Sequence, residues 1–358
     1  MANTIEVFFT PIDKVSNEVW AGVAQRKTLE AKEEKGTKGY PLSISSNPRN
    51  TTMVNLAVWN MKDCIVLNDA NGHPVLDKEG IPVQVLAQLK NPLSEWDRCV
   101  HDAIVSIVVA GKKYFTPTDI LRVLYGKTHD KKFIPTEEQV RRVNGAVWKI
   151  SETKILLKFK DEAIKMSCYR YSKSKKYMEG EFEIRENLLP IKEFRMKGKN
   201  GLYAIGYEYD RELNNWDNLP ALYRYSSPKK QVAKIDLKNN DNLLNTPVRK
   251  EDMTITIEHY LHRKINFMYN KNVANSLHIE TILKDLGFIQ RSIDELDKSK
   301  RNKIYQRMES ILNFWKVQGT FIADWKWESV PRKITETIDA RNLKKGKLVI
   351  ILLPQSEA

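Results

Sequence analysis

The sequence predicts an α+β protein: a strand-rich N-terminal region followed by two copies of one layout, three helices and then a β-hairpin. Three observations carry this. Apolar residues recur at helical spacing in successive windows after Ser94, each opened by a capping residue. Short β-rich runs close each set of helices. The excess positive charge of the chain is confined to the part that holds the two copies. At 358 residues, a chain of two or three domains is expected. The boundaries read as 1–85 (strand-rich, of unknown fold), 86–226 and 227–358, with the break near Ser226–Pro228.

Residues 1–85 hold the extended runs "IEVFF", "MVNLAVWN", "DCIVLND" and "VQVLAQL". The polar interval "KEEKGTKGYPLSISSNPRN" among them is expected to be mobile. The start, "MANTIEVFFTPIDKVSNEVW", lacks a basic leading segment and does not read as a secretory signal.

The first copy opens at Ser94, a helix cap with Asp97 three residues on. Trp96, Val100, Ala103, Ile104, Ile107 and Val108 then form an apolar stripe ending near Gly111. In "FTPTDILRVLYGK", Thr116 is a cap, Pro117 takes the first helical position and Gly126 ends the short helix. Thr136 and Gln139 form a capping box for the third helix, whose buried side is marked by Val140, Val143, Val147 and Trp148. "KILLKFK" and the end of "SCYRYSKSKKYMEGEFEI" read as a strand and its return. The basic run "YSKSKKY" between them is either a wing that touches a nucleic-acid backbone or a solvated turn.

In the second copy, "EDMTITIEHYLHRKINFMYN" buries Ile257, Leu261, Ile265 and Met268, and "HIETILKDLGF" is stopped by Gly287. The third helix lies in "KSKRNKIYQRMESILNFWKVQG", with Ile304, Met308, Ile311, Leu312 and Trp315 on its apolar face. "TFIADWKW" and "KLVIILL" close the copy as two strands. A Trp-Lys pair ends the third helix both times, Trp148-Lys149 and Trp315-Lys316. Three helices followed by a two-stranded wing is the winged-helix variant of helix-turn-helix, so two tandem winged-helix domains are expected.

Net charge is +14. Residues 1–85 hold 9 Lys+Arg against 10 Asp+Glu, residues 86–225 hold 26 against 19, and residues 226–358 hold 24 against 16. Such a distribution suits a polyanionic partner, nucleic acid before an acidic membrane surface. No run of about 18 apolar residues exists, so no membrane partner is expected and the protein is placed in the cytoplasm. Cys64, Cys99 and Cys168 lie too far apart for a metal pair or a disulfide framework, and Cys99 reads as a buried small hydrophobe.

The cations of the last third helix crowd its N-terminal end, where a helix prefers acids. Lys298, Lys300, Arg301, Lys303 and Arg307 are therefore candidates for phosphate contact. Asp294–Lys298 and Asp297–Arg301 have pairing distance along the helix, whereas Lys303 and Arg307 have no such neighbour. Lys303, Gln306, Arg307 and Ser310 share one outward face. Arg and Gln form bidentate contacts with guanine and adenine, while Lys and Ser serve phosphates. Arg332, Lys333, Arg341, Lys344 and Lys345 extend the basic set onto the following loop. Trp325 and Trp327 either stack on bases or pack the hairpin onto the core. In the first copy Arg141, Arg142 and Lys149 face outward, with Glu138 placed to pair with Arg142.

No phosphate-cradling G-x-x-x-x-G-K-[ST] occurs, and the His259–His262 pair lacks the glutamate and third ligand of a metal site, so it reads as packing or surface. No catalytic residues, metal or cofactor are assigned, and the chain is not expected to be an enzyme.

The segments "LSEWDRCVHDAIVSIVVAGKKYFTPTDILRVLYG", "LYRYSSPKKQVAKIDLKNNDNLLNTP" and "IEHYLHRKINFMYN…RNKIYQRMESILNFWKVQG" resemble replication-initiator-like proteins of plasmids, phages and conjugative elements of Gram-positive bacteria. The layout is also similar to the tandem winged-helix initiators of theta-replicating plasmids. The resemblance implies binding of double-stranded DNA at origin repeats, local melting, loading of a host helicase through the helicase or its loader, and a monomer–homodimer switch. It implies base contacts from Lys303, Gln306, Arg307 and Ser310, and backbone or dimer contacts around Arg141, Arg142 and Lys149. The N-terminal strand-rich region departs from that pattern. The alternatives are a winged-helix transcriptional repressor and an accessory protein to a nuclease or primase.

Overall fold

The computed structural model describes residues 6–8, 20, 42–47, 50–60, 64–66, 84–86, 93–128, 130–159, 182–197, 203–213, 218–220, 222–223, 234–236, 251–271, 275–319, 322–329 and 346–353. The architecture is α+β, with helices packed on small antiparallel sheets. No helix among the described residues is long and apolar enough to cross a membrane.

The N-terminal strands are β1 (Glu6–Phe8), β2 (Leu42–Asn47), β3 (Asn50–Asn60), β4 (Cys64–Val66) and β5 (Gln84–Leu86). The polar interval expected to be mobile thus contributes a strand, β2, which pairs with β3.

The first copy consists of α1 (Glu95–Val109), β6 (Tyr114–Phe115), α2 (Pro117–Leu124) and α3 (Glu137–Glu152). It continues through β7 (Thr153–Phe159), β8 (Phe182–Asn187), β9 (Ile191–Lys197) and β10 (Tyr203–Tyr209). The capping boxes read from sequence form at Ser94–Asp97 and Thr136–Gln139, and the Thr116 cap proves to be a third box, with Asp119. Each satisfies backbone N–H groups that the first turn leaves without partners, at about 1 kcal/mol per cap. Gly126 and Gly287 end their helices in the left-handed conformation that glycine adopts without strain.

One pairing differs from expectation. The β7–β8 hairpin forms, but it joins the N-terminal strands in a sheet of order β2-β3-β7-β8. The strand pair that closes on β6 is β9–β10, in a sheet of order β6-β10-β9. Gly206 leaves room there for Phe194, which lies across the ladder: a Cβ at Gly206 would sit 2.4 Å from the ring and force it to move. Tyr207 ties this sheet to α3 by donating its hydroxyl proton to Asn144 at 2.7 Å.

After β11 (Lys234–Asp236), which pairs with β1, the second copy runs α4 (Asp252–Lys271), β12 (Ser276–His278), α5 (Ile279–Asp285), a 3-10 turn at Ile293–Glu295 and α6 (Lys298–Gln318). It ends in β13 (Ile322–Ser329) and β14 (Gly346–Leu352), in a sheet of order β12-β14-β13. In both copies, then, the short strand after the first helix pairs with the last strand.

A continuous apolar core runs through both copies. Ile104 and Ile107 of α1, Val143 and Val147 of α3, Ile257 and Leu261 of α4, and Met308 and Trp315 of α6 all belong to it. Helix α1 is buried from Glu95 to Val108 apart from Trp96, polar residues included. Its polar side is covered by α4, and there the charges are matched. Arg263 of α4 bridges Glu95 and lies 3.1 Å from Asp102, which also accepts the Tyr223 hydroxyl at 2.8 Å. Burial pulls the Arg263 guanidinium down to about 9, which leaves it charged at neutral pH. Cys99 is fully buried on α1, and its thiol is pushed well up by that burial.

His259 and His262 are both buried, and His262 meets Trp315 edge-on at 6.1 Å between ring centres. Burial pushes the His262 imidazole down to about 3. Between that value and the ordinary value near 6.5, the unfolded chain binds a proton that the folded protein does not. Stability therefore falls as pH drops through this window. Relative to pH 7, His262 is expected to cost about 2 kcal/mol at pH 5. Urea unfolding of the wild type and His262→Gln at both pH values checks this: the variant should lose that much less on acidification.

Candidate nucleic-acid interface

Helix α6 is the third helix of the second copy, and its setting is built from three local devices. Glu295 accepts the backbone N–H groups of Gln290, Arg291 and Ser292, which fixes the turn before it and holds the Glu295 carboxyl below its usual range. Asp297 caps the helix by accepting the Lys300 N–H at 2.7 Å. This acid offsets part of the cost of cations at a helix start, and its carboxylate serves the cap. At the far end Gly319 closes the helix in the left-handed conformation.

The buried side of α6 carries Ile304, Tyr305, Met308, Ile311, Leu312 and Trp315. Arg301 joins them at 9% exposure, so the sequence-based placement of Arg301 on the open rim is corrected. Its position, seven residues before Met308, puts it on the core side of the helix. Lys298 and Lys300 are exposed at the helix start.

Lys303 and Arg307 have a partner that helical spacing does not reveal. Glu251, just before α4, lies 3.5 Å from Lys303 and 3.6 Å from Arg307. One carboxylate serves two cations, so this flank keeps a net positive charge. Lys303 is 52% exposed, while the Arg307 side chain is 17% exposed and lies on the α4 flank. The solvent crest of the helix is formed by Ser299, Lys303, Gln306, Ser310, Asn313 and Val317. Sequence reading missed Asn313 and Val317 because it followed the cations; their spacing from Gln306 and Ser310 held the signal.

The opposite flank is closed by β13. Trp325 donates its indole N–H to Asn313 and Trp327 donates to Glu309, each at 3.0 Å. Trp327 also packs against Tyr305 at 5.5 Å. Both tryptophans thus hold the strand against the helix and pack on the core, the second of the two roles left open for them. Arg332, Lys333, Arg341, Lys344 and Lys345 lie outside the described residues, as does the "YSKSKKY" run.

The third helix of the first copy is arranged differently. Arg141 is exposed, but Arg142 pairs with Asp252 of α4 rather than presenting a free charge. Lys149 is corrected from an outward cation to a partner of buried Asp97, at 2.6 Å; the same carboxylate accepts the backbone N–H and hydroxyl of Ser94. Trp148, expected inside, is 41% exposed, and Ala146 and Ile150 fill the buried side in its place. It lines a groove of about 670 Å³ between α3 and α4 with Trp96, Met253 and Phe288. Among the described residues, no group of three or more His, Cys, Asp and Glu is placed to hold a metal ion.

No family model matches the chain, and no curated protein matches it. The solved structures that align with it include two of RctB. One, of selenomethionine derivatives of domain 2 and domain 3 of RctB, is 13% identical, with 94% of this chain and 99% of that chain covered at a TM-score of 0.40. The other, of RctB domains 2-3, is 10% identical, with 88% and 91% covered at a TM-score of 0.37.

Proposed function

We propose that this chain is a non-enzymatic, sequence-specific double-stranded DNA-binding protein, built on two tandem winged-helix units at 86–226 and 227–358, that acts as a cytoplasmic replication initiator of a mobile element. The observation that carries DNA binding is the exposed polar crest of α6 with Lys298, Lys300 and Lys303 along it. An α-helix about 10–12 Å across fits a major groove about 12 Å wide. The recurring order of short strand, two helices and closing strand pair supports the winged-helix reading. The paired state of Arg142 and Lys149 gives the first unit the lesser share of contacts.

The choice of initiator over repressor rests on the resemblance of the quoted segments, as do a helicase or loader partner and a homodimer. Supplying the protein in trans to a plasmid that carries only its origin separates the two: an initiator permits replication, a repressor only lowers reporter output. For the binding itself, Lys303→Ala should weaken association with all duplexes and reduce the salt slope by about one. An unchanged slope, with the fold intact, would remove Lys303 from the interface.

A further inference from the structure

The hydrogen bonds around the α6 crest determine which chemistry each side chain has left to offer. Ser310 donates its hydroxyl proton to the Gln306 carbonyl at 2.7 Å. Its outward capacity is that of an acceptor. Asn313 accepts the Trp325 indole N–H on Oδ1, which directs the amide N–H₂ away from the strand. Its outward capacity is that of a donor. Val317 is 81% exposed and offers an apolar tip on the same line. From Ser310 through Asn313 to Val317, one helical line therefore presents acceptor, donor and apolar groups in sequence.

We propose that Ser310, Asn313 and Val317 determine base preference, and that Trp325 is a positioning residue that fixes the orientation of the Asn313 amide. This rests on the reading of α6 as a DNA-contacting helix. The occupant is a DNA duplex because the same crest carries Lys303, the helix start carries Lys298 and Lys300, and the chain has a net charge of +14. In a major groove, an acceptor takes the exocyclic amine of cytosine or adenine, and a donor takes O6 or N7 of guanine or O4 of thymine. An apolar tip takes the thymine methyl group. At about 1.5 Å of rise per residue, Ser310 and Asn313 lie roughly 4.5 Å apart along the axis, so they address neighbouring base pairs. Glu309, occupied by Trp327 on the β13 side, would repel phosphate. The backbone therefore runs along the Lys303 flank.

The test is selection of bound duplexes from a randomised pool by the intact protein and its variants, followed by affinity measurement on the enriched site. Asn313→Ala should lose about tenfold in preference at one position and leave neighbouring positions unchanged. Trp325→Phe should broaden preference at that same position, because the amide is then free to turn over; a merely structural role would weaken all sites alike. Replacing thymine by deoxyuridine at the methyl-contacting position should weaken wild-type binding about fourfold and leave Val317→Ala indifferent. Val317 is exposed, so its variant does not depend on the core for folding. If Asn313→Ala and Val317→Ala enrich the same sites at unchanged affinity while Lys303→Ala weakens all duplexes, this assignment is wrong and DNA binding stands. If no duplex is retained by the wild type, both fall.

Discussion

Arg263→Ala is expected to remove about 3–5 kcal/mol of folding stability, the usual loss when one partner of a buried ion pair is deleted. Single-domain proteins are held by roughly 5–15 kcal/mol, so the variant should populate unfolded chain at moderate temperature. The size follows from what remains. Glu95 and Asp102 stay in the interior of α1 without the guanidinium that joined them, Glu95 keeping Arg98 at 3.7 Å and Asp102 the Tyr223 hydroxyl. Arg263→Lys should recover little, because an ammonium cannot present the planar fork that reaches two carboxylates. Equilibrium unfolding in urea measures the loss. A change below 1 kcal/mol would mean that water enters the α1–α4 contact.

Trp315→Ala should cost about 3–5 kcal/mol as well, by a different route. The indole is fully buried between α6 and α4, where His262 meets it edge-on. Truncation opens a cavity that close-packed neighbours cannot refill. Trp148 holds the matching place in the Trp-Lys doublet of the first copy, but it is 41% exposed. Trp148→Ala should cost less, about 1–2 kcal/mol, because the ring keeps only part of its area from water. Comparing the two variants by urea unfolding separates the positions cleanly, although each tryptophan precedes a lysine near the end of a third helix.

That contrast shows where the sequence stops being informative. Caps and stops could be read directly: Ser94, Thr116 and Thr136 open helices where expected, and Gly126 and Gly287 end them. The apolar stripes of α1, α4 and α6 also lie inside as their spacing predicts. Such features depend on residues within a turn or two of one another. The β7–β8 hairpin pairs with β3, and that choice depends on strands about a hundred residues apart. Lys149 of α3 meets Asp97 of α1, 52 residues earlier in the chain, so an apparently outward lysine is consumed in structure. Arg263 and its carboxylates look like solvated faces of two separate helices until those helices are brought together. On α6 the outward line could be counted from the helical period, yet the distinction between Lys303 and half-buried Arg307 required the position of Glu251.

Glu251 has a wider consequence. A chain with so large a positive excess would adhere to any polyanion it met, whatever its sequence. Under the proposed function, one carboxylate shared by two cations lowers this indiscriminate adhesion without abolishing it. In the proposed DNA-binding role, a duplex must compete with Glu251 for those charges, and one whose bases also suit the crest competes best.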